Sequence, residues 1–141
     1  MRRLLAVLLV ALAVHGVALA ETAAGRVRVV AWASTSGKTG IPPADAVSGG
    51  VFCTPRPVQK LYAFVRFSGM RDKVPSSATW FFNKKKAFVF SFKWEDGDAG
   101  RTAFDLYRTK GALAEGMYSL EIRTGGRLVG RGSVRLQFGN C

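Results

Sequence analysis

The chain has 141 residues with 21 Lys+Arg against 9 Asp+Glu, a formal charge of +12, two cysteines and a single histidine. That histidine, His15, lies in an apolar N-terminal leader. The remainder therefore has no imidazole, which excludes Ser-His-Asp and Cys-His catalysis and the usual His-containing zinc sites.

Arg2-Arg3, the apolar run Leu4–Val14 and the small-x-small ending Ala18-Leu19-Ala20 have the form of a secretory signal over residues 1–20, with cleavage expected before Glu21. An uncleaved anchor is the competing expectation, but the strongly apolar run is short against the roughly 20 residues of a membrane span. Residues 21–141 fit a single domain able to bury a core without metals. Arg2 and Arg3 leave with the leader, which takes the 21 basic residues to 19 against 9 acidic ones and the excess to +10. Such an excess favours attraction to anionic surfaces and says nothing about fold. Outside the cell, nucleic acid is not an expected partner. In an oxidising compartment Cys53 and Cys141 are most simply one disulfide, whose long loop gives an upper stabilisation of about 4–5 kcal/mol. A free thiol or an intermolecular bridge is the alternative.

In chain order, Ala23–Ser34 places Val27, Val29 and Ala31 on one face and Arg26, Arg28, Val30 and Trp32 on the other, a first strand that is basic at its start. Ser34–Gly50 loses all periodicity and, with Ile41-Pro42-Pro43, is a long loop. Val51–Thr54 is a short extended piece ending at Pro55. Lys60–Ser68 is apolar on both faces, Leu61, Ala63, Val65 and Phe67 against Tyr62, Phe64 and Arg66, as suits a central strand. Thr79–Phe82 and Ala87–Trp94 are strands joined by a polar turn, Asn83-Lys84-Lys85-Lys86. Phe88, Phe90, Phe92 and Trp94 form a large aromatic face expected to pack across a sheet interface. Thr102–Tyr107 turns Phe104 and Leu106 inward with Ala103 and Asp105 outward, and Lys110–Glu115 is a corner. Glu115–Phe138 is a hairpin about Gly125-Gly126. Tyr118, Leu120, Ile122, Val134, Leu136 and Phe138 face inward, while Ser119, Glu121, Arg123, Arg131, Ser133, Arg135 and Gln137 face outward.

About seven or eight short strands at regular spacing, with no helical period after the leader, indicate an all-β, immunoglobulin-like antiparallel β-sandwich. Trp80 is placed to be the core tryptophan of such a sandwich. Tyr118, at the start of a late strand after Glu115-Gly116-Met117, is placed to make a tyrosine corner. The inter-sheet cysteine pair of antibody domains is missing.

Phe52-Cys53-Thr54, Leu61-Tyr62-Ala63-Phe64 with Phe67-Ser68-Gly69, Trp80-Phe81-Phe82, and Gly116-Met117-Tyr118-Ser119-Leu120 with Gly126 and Val129 follow in a telling order. Over about residues 51–136 that order resembles a family of bacterial envelope domains of unknown function with immunoglobulin-like character. The chain departs from it at Gly100–Lys110, where a Trp-Arg-Thr and Ser-Ser-Lys signature is reduced to Arg101-Thr102 and Arg108-Thr109-Lys110. The resemblance implies an envelope location and a fold, and no chemistry.

Glu95-Asp96-Gly97-Asp98 sets three carboxylates beside a glycine but lacks the spacing of an EF-hand loop, so it is taken as a polar turn, with no metal and no cofactor expected. The basic residues fall in two groups. Lys84, Lys85 and Lys86 crown one turn, while Arg123, Arg131 and Arg135 share the outward face of the terminal hairpin with Arg127 near its turn. On one side of the molecule they form a candidate anion-binding field; as a solvated face they protect sheet edges from aggregation. The expectation is a monomeric, non-catalytic extracytoplasmic domain, in the periplasm, at the cell surface or secreted, that binds or supports another envelope protein. The alternatives are a polyanion- or carbohydrate-binding module for an anionic glycan or lipid headgroup, built on the basic face and Trp32 or Trp94, and an inhibitor of a secreted enzyme with Ser34–Gly50 as its inserted loop.

Overall fold

The structure, a computed structural model, describes residues 25–141, so the leader expected over Met1–Ala20 lies outside the described residues. Alternating apolar and polar side chains become eight strands: β1 (Arg26–Ala33), β2 (Val51–Thr54), β3 (Lys60–Ser68), β4 (Pro75–Phe82), β5 (Lys85–Lys93), β6 (Gly100–Tyr107), β7 (Gly116–Thr124) and β8 (Arg127–Phe138). No helix forms among the described residues.

A three-stranded sheet, ordered β1-β3-β6, faces a five-stranded sheet, ordered β2-β8-β7-β4-β5. The chain changes sheet after β1, β2, β3, β5 and β6. This mixing of early and late strands is the immunoglobulin-like arrangement. One pairing departs from the antiparallel expectation. β2 runs parallel to β8, with Val51 opposite Arg135 and Thr54 opposite Phe138. The loop from β1 to β2 carries the chain to the far sheet, so no hairpin turn has to join β2 to its neighbour. The Cys53–Cys141 disulfide, Cα atoms 6.0 Å apart, ties this edge pair together.

Inward residues of both sheets form one core, including Leu61, Val65, Leu120, Ile122, Val134 and Leu136. Trp80 of β4 is buried at its centre and meets Trp32 edge-on, ring centroids 6.1 Å apart. Trp94 meets Phe67 in the same manner at 4.8 Å and donates its indole N–H to the Gly97 carbonyl at 2.7 Å. Buried indoles thus keep both their packing and a hydrogen bond where one is needed.

Three expectations from alternation are corrected. Trp32 is turned inward and only 1% exposed, with Val27 and Val29 inside as well, because a bulge between Val29 and Ala31 shifts the phase of β1. Ala31 and Ala33 go to the other face with Phe64, where Ala46 from the long loop covers them. The turn between β4 and β5 is shorter than expected: only Asn83 and Lys84, both with positive φ (47° and 68°), lie between the strands, while Lys85 and Lys86 belong to β5. The aromatic face of β5 is only partly buried. Trp94 is enclosed and Phe92 half-buried, but Phe88 and Phe90 are 51% and 53% exposed. β5 is the outer edge of the five-stranded sheet, and the narrower sheet opposite covers only its last residues, through Phe104 at 5.9 Å from Phe92.

The two sides of the sandwich differ for a steric reason. Along β8, a Cβ on Gly130 would collide with the Val27 carbonyl, and one on Gly132 would sit 2.8 Å from the Val29 Cβ. Bare glycines therefore let β8 press against β1 and close that side. Between β5 and β6 the sandwich stays open.

Candidate binding surfaces

The open side is a groove of about 670 Å³ whose walls come from β4–β5 (Phe82, Ala87, Phe88), from β6 (Leu106, Tyr107) and from the corner before β7 (Leu113, Ala114). Tyr118 forms part of its floor. Its hydroxyl donates to the Ala114 carbonyl at 2.7 Å, which pins the corner to β7, and its ring lies 5.0 Å from that of Phe82. Burial raises the phenol pKa above its ordinary value, against the opposing pull of Arg108. Beside the groove β5 pairs only with β4, so its outer row of backbone amides and carbonyls is open. Phe88, Val89 and Phe90, exposed on both faces of β5, surround that open row. Lysines stand at both ends of the strand, Lys85 and Lys86 at one and Lys93 at the other.

A second surface is the outward face of the five-stranded sheet. Register places Arg131 opposite Glu121, Arg135 opposite Met117 and Arg123 opposite Leu128. Glu121 pairs with Arg123 at 3.8 Å, which offsets part of the like-charge repulsion on that face. Lys84 and Arg131, with Phe81, Ser119, Glu121 and Ser133, line a shallow depression of about 550 Å³. Lys84 holds φ 68° where glycine is the ordinary occupant of such a turn. Lys86 lies opposite Phe81 on this face, whereas Lys85 lies opposite Phe82 and takes the other. Arg127 pairs with Thr124 at the hairpin tip, away from the depression. The structure thus brings Lys84 and Arg131 together and leaves Lys85 and Arg127 outside. Trp32 and Trp94, offered above as stacking platforms for a glycan, are both buried and present no face to a ligand.

Ser34–Gly50, the proposed inserted loop of an inhibitor, is held to β1 by paired backbone hydrogen bonds between Trp32 and Val47, at 2.7 and 2.9 Å. Around Asp96 the acidic turn is organised by Asp72, whose carboxylate accepts from the Gly97 amide at 2.9 Å. Among the described residues no three His, Cys, Asp or Glu side chains converge on a metal-sized site.

No protein-family model matches the chain. No curated protein matches it by sequence. Among solved structures it is similar to an immunoglobulin-like protein from Pseudomonas aeruginosa, at 13% identity and TM-score 0.47, over 82% of this chain and 98% of that one. It is also similar to the CARDB domain of a Pyrococcus furiosus protein in complex with di-metal ions, at 10% identity and TM-score 0.39, over 82% and 94% of the two chains. A third similar structure is the Pseudomonas fluorescens alkylpurine DNA glycosylase bound to DNA with an abasic site analog, at 14% identity and TM-score 0.41. There the match covers 62% of this chain and spans 27% of the glycosylase. By its own strand order the chain is an all-β sandwich of immunoglobulin-like form.

Proposed function

We propose that this protein is a non-catalytic extracytoplasmic domain that binds another envelope protein by taking an extended segment of it along β5. The observation that carries this reading is the combination of an open sheet edge with exposed Phe88, Val89 and Phe90. An added strand would satisfy the free amides and carbonyls of β5, and its alternate side chains would lie against Phe88 and Phe90 on the groove side and Val89 on the other. The lysines at both ends of β5 favour a partner strand with acidic residues flanking an apolar centre. They also disfavour a second copy of β5 in an antiparallel pairing centred on Val89, which would set Lys85 opposite Lys93.

Affinity capture from envelope extract tests this. Wild-type protein should retain a specific protein, and Phe88→Ser with Phe90→Ser should lose it while melting at the same temperature. Amide exchange in β5 should slow on binding. Equal capture by the double variant would end the proposal. The Lys84–Arg131 depression favours a second reading, attachment to an anionic glycan or lipid headgroup through the outer face of the same sheet.

A further inference from the structure

The opposite sheet carries a basic constellation that strand-by-strand reading does not reveal. Arg28 of β1 lies directly opposite Arg66 of β3, and Arg66 lies directly opposite Arg101 of β6. Three arginines therefore stand on one rung, with neighbouring Cβ atoms about 5 Å apart. They share the outward face with Phe64, which sits two residues along β3 from Arg66. Like charges directly opposite one another are destabilising unless something offsets them. Among the described residues no carboxylate comes within ion-pairing distance of any of the three.

The row is also walled. The long loop rests on β6 so closely that a Cβ on Gly40 would lie 2.8 Å from the carbonyl carbon of Arg101. Gly40 and Pro42 of this loop, with Val30 and the three exposed arginines, line an open depression of about 370 Å³. The loop braced against β6 at this rung gives the arginine row a wall on one side.

We propose that Arg28, Arg66 and Arg101 form a binding site for a phosphomonoester group. Three planar guanidinium forks suit a tetrahedral dianion, because each of its three terminal oxygens can accept from a different arginine. A carboxylate has only two oxygens and one charge and leaves the third arginine unpaired. The site lies on the other sheet from the Lys84–Arg131 depression and away from the β5 edge, so it stands or falls independently of the function proposed above.

Two probes test it, inorganic phosphate and vesicles of neutral phospholipid doped with phosphatidate. The exported protein should show a saturable phosphate-dependent rise in melting temperature and a saturable shift of the phosphate 31P line. Arg66→Gln, at the centre of the row, should weaken phosphate binding at least tenfold while leaving the unliganded melting temperature equal or higher, since repulsion is relieved. Arg56→Gln removes the same charge from an exposed loop position and should bind as wild type does. Uptake on phosphatidate vesicles, in preference to vesicles of equal charge made with a phosphodiester lipid, assigns the group to a lipid headgroup. Binding of free phosphate without vesicle uptake assigns it to a soluble ligand. Absence of saturable binding to either probe, or equal losses in Arg56→Gln and Arg66→Gln, overturns the proposal.

Discussion

Replacing Tyr118 by Phe removes one oxygen from the corner that ties the β6–β7 connection to β7. The ring stays packed on Phe82, so little apolar burial changes. What is lost is the 2.7 Å hydrogen bond to Ala114 in a residue only 3% exposed, which leaves that carbonyl without its donor. The expected cost is about 1–2 kcal/mol, the net loss of one short hydrogen bond, since Ala114 is exposed and water can reach its carbonyl. For a domain of this size that lowers the melting temperature by roughly 4–8 °C. Urea denaturation should show a lower midpoint with an unchanged slope, the sign of altered stability with unaltered compactness. The pH dependence supplies a second arm. Burial raises the folded-state pKa of the phenol above its ordinary 10.0, so the folded state holds the proton longer than the unfolded chain does. The stability that Tyr118 contributes is therefore complete below about pH 10 and is lost as pH rises through the folded-state value. The gap between wild type and Tyr118→Phe should narrow accordingly in denaturation series above pH 10. Equal midpoints at neutral pH would refute the corner as a stabilising element.

Trp80→Ala should cost about 3–5 kcal/mol by opening a cavity against Trp32, measured by the same denaturation. Gly130→Ala should cost about 1–3 kcal/mol, because the added methyl drives β8 off the Val27 carbonyl and reopens the closed side. Cys53→Ala should lower stability by roughly 2–4 kcal/mol, and the unreduced protein should resist alkylation at both cysteines; two labelled thiols would contradict the bridge. Arg131→Glu with Arg135→Glu should weaken retention on an anionic matrix without lowering the melting temperature, and retention by wild type should fall steeply with salt, since exposed charges are screened over about 8 Å at physiological ionic strength. Unchanged retention would leave those arginines a solvated face.

Alternation determined most of the strands of this protein, although β4 begins at Pro75, before the Thr79 that alternation indicated. The hairpin about Gly125-Gly126, the inward Tyr118, Leu120 and Ile122, the bounds of β3 and the all-β class all follow from side chains that point to opposite faces at successive residues, a property of the backbone that needs no partner. The disulfide followed from the even count of two cysteines together with the expectation of export. Tertiary structure decided everything that depends on which strand lies beside which. A single extra residue near Val30 turned Trp32 from the outer face into the core. The aromatic run of β5 looked like core because its residues are large and alternate, and half of it is exposed because β5 ended at an edge wider than the sheet opposite. Lys84 and Arg131 are 47 positions apart in the chain and share a depression only through the neighbouring strands β4, β7 and β8. Arg28 and Arg66 were visible as polar positions of separate strands, and Arg101 lay just before the strand expected over Thr102–Tyr107, but a row exists only once β3 pairs with β1 on one side and β6 on the other. The physical reason is common to all four. Period along a strand is local geometry, whereas register, bulge phase and lateral position are settled by packing between segments distant in the chain.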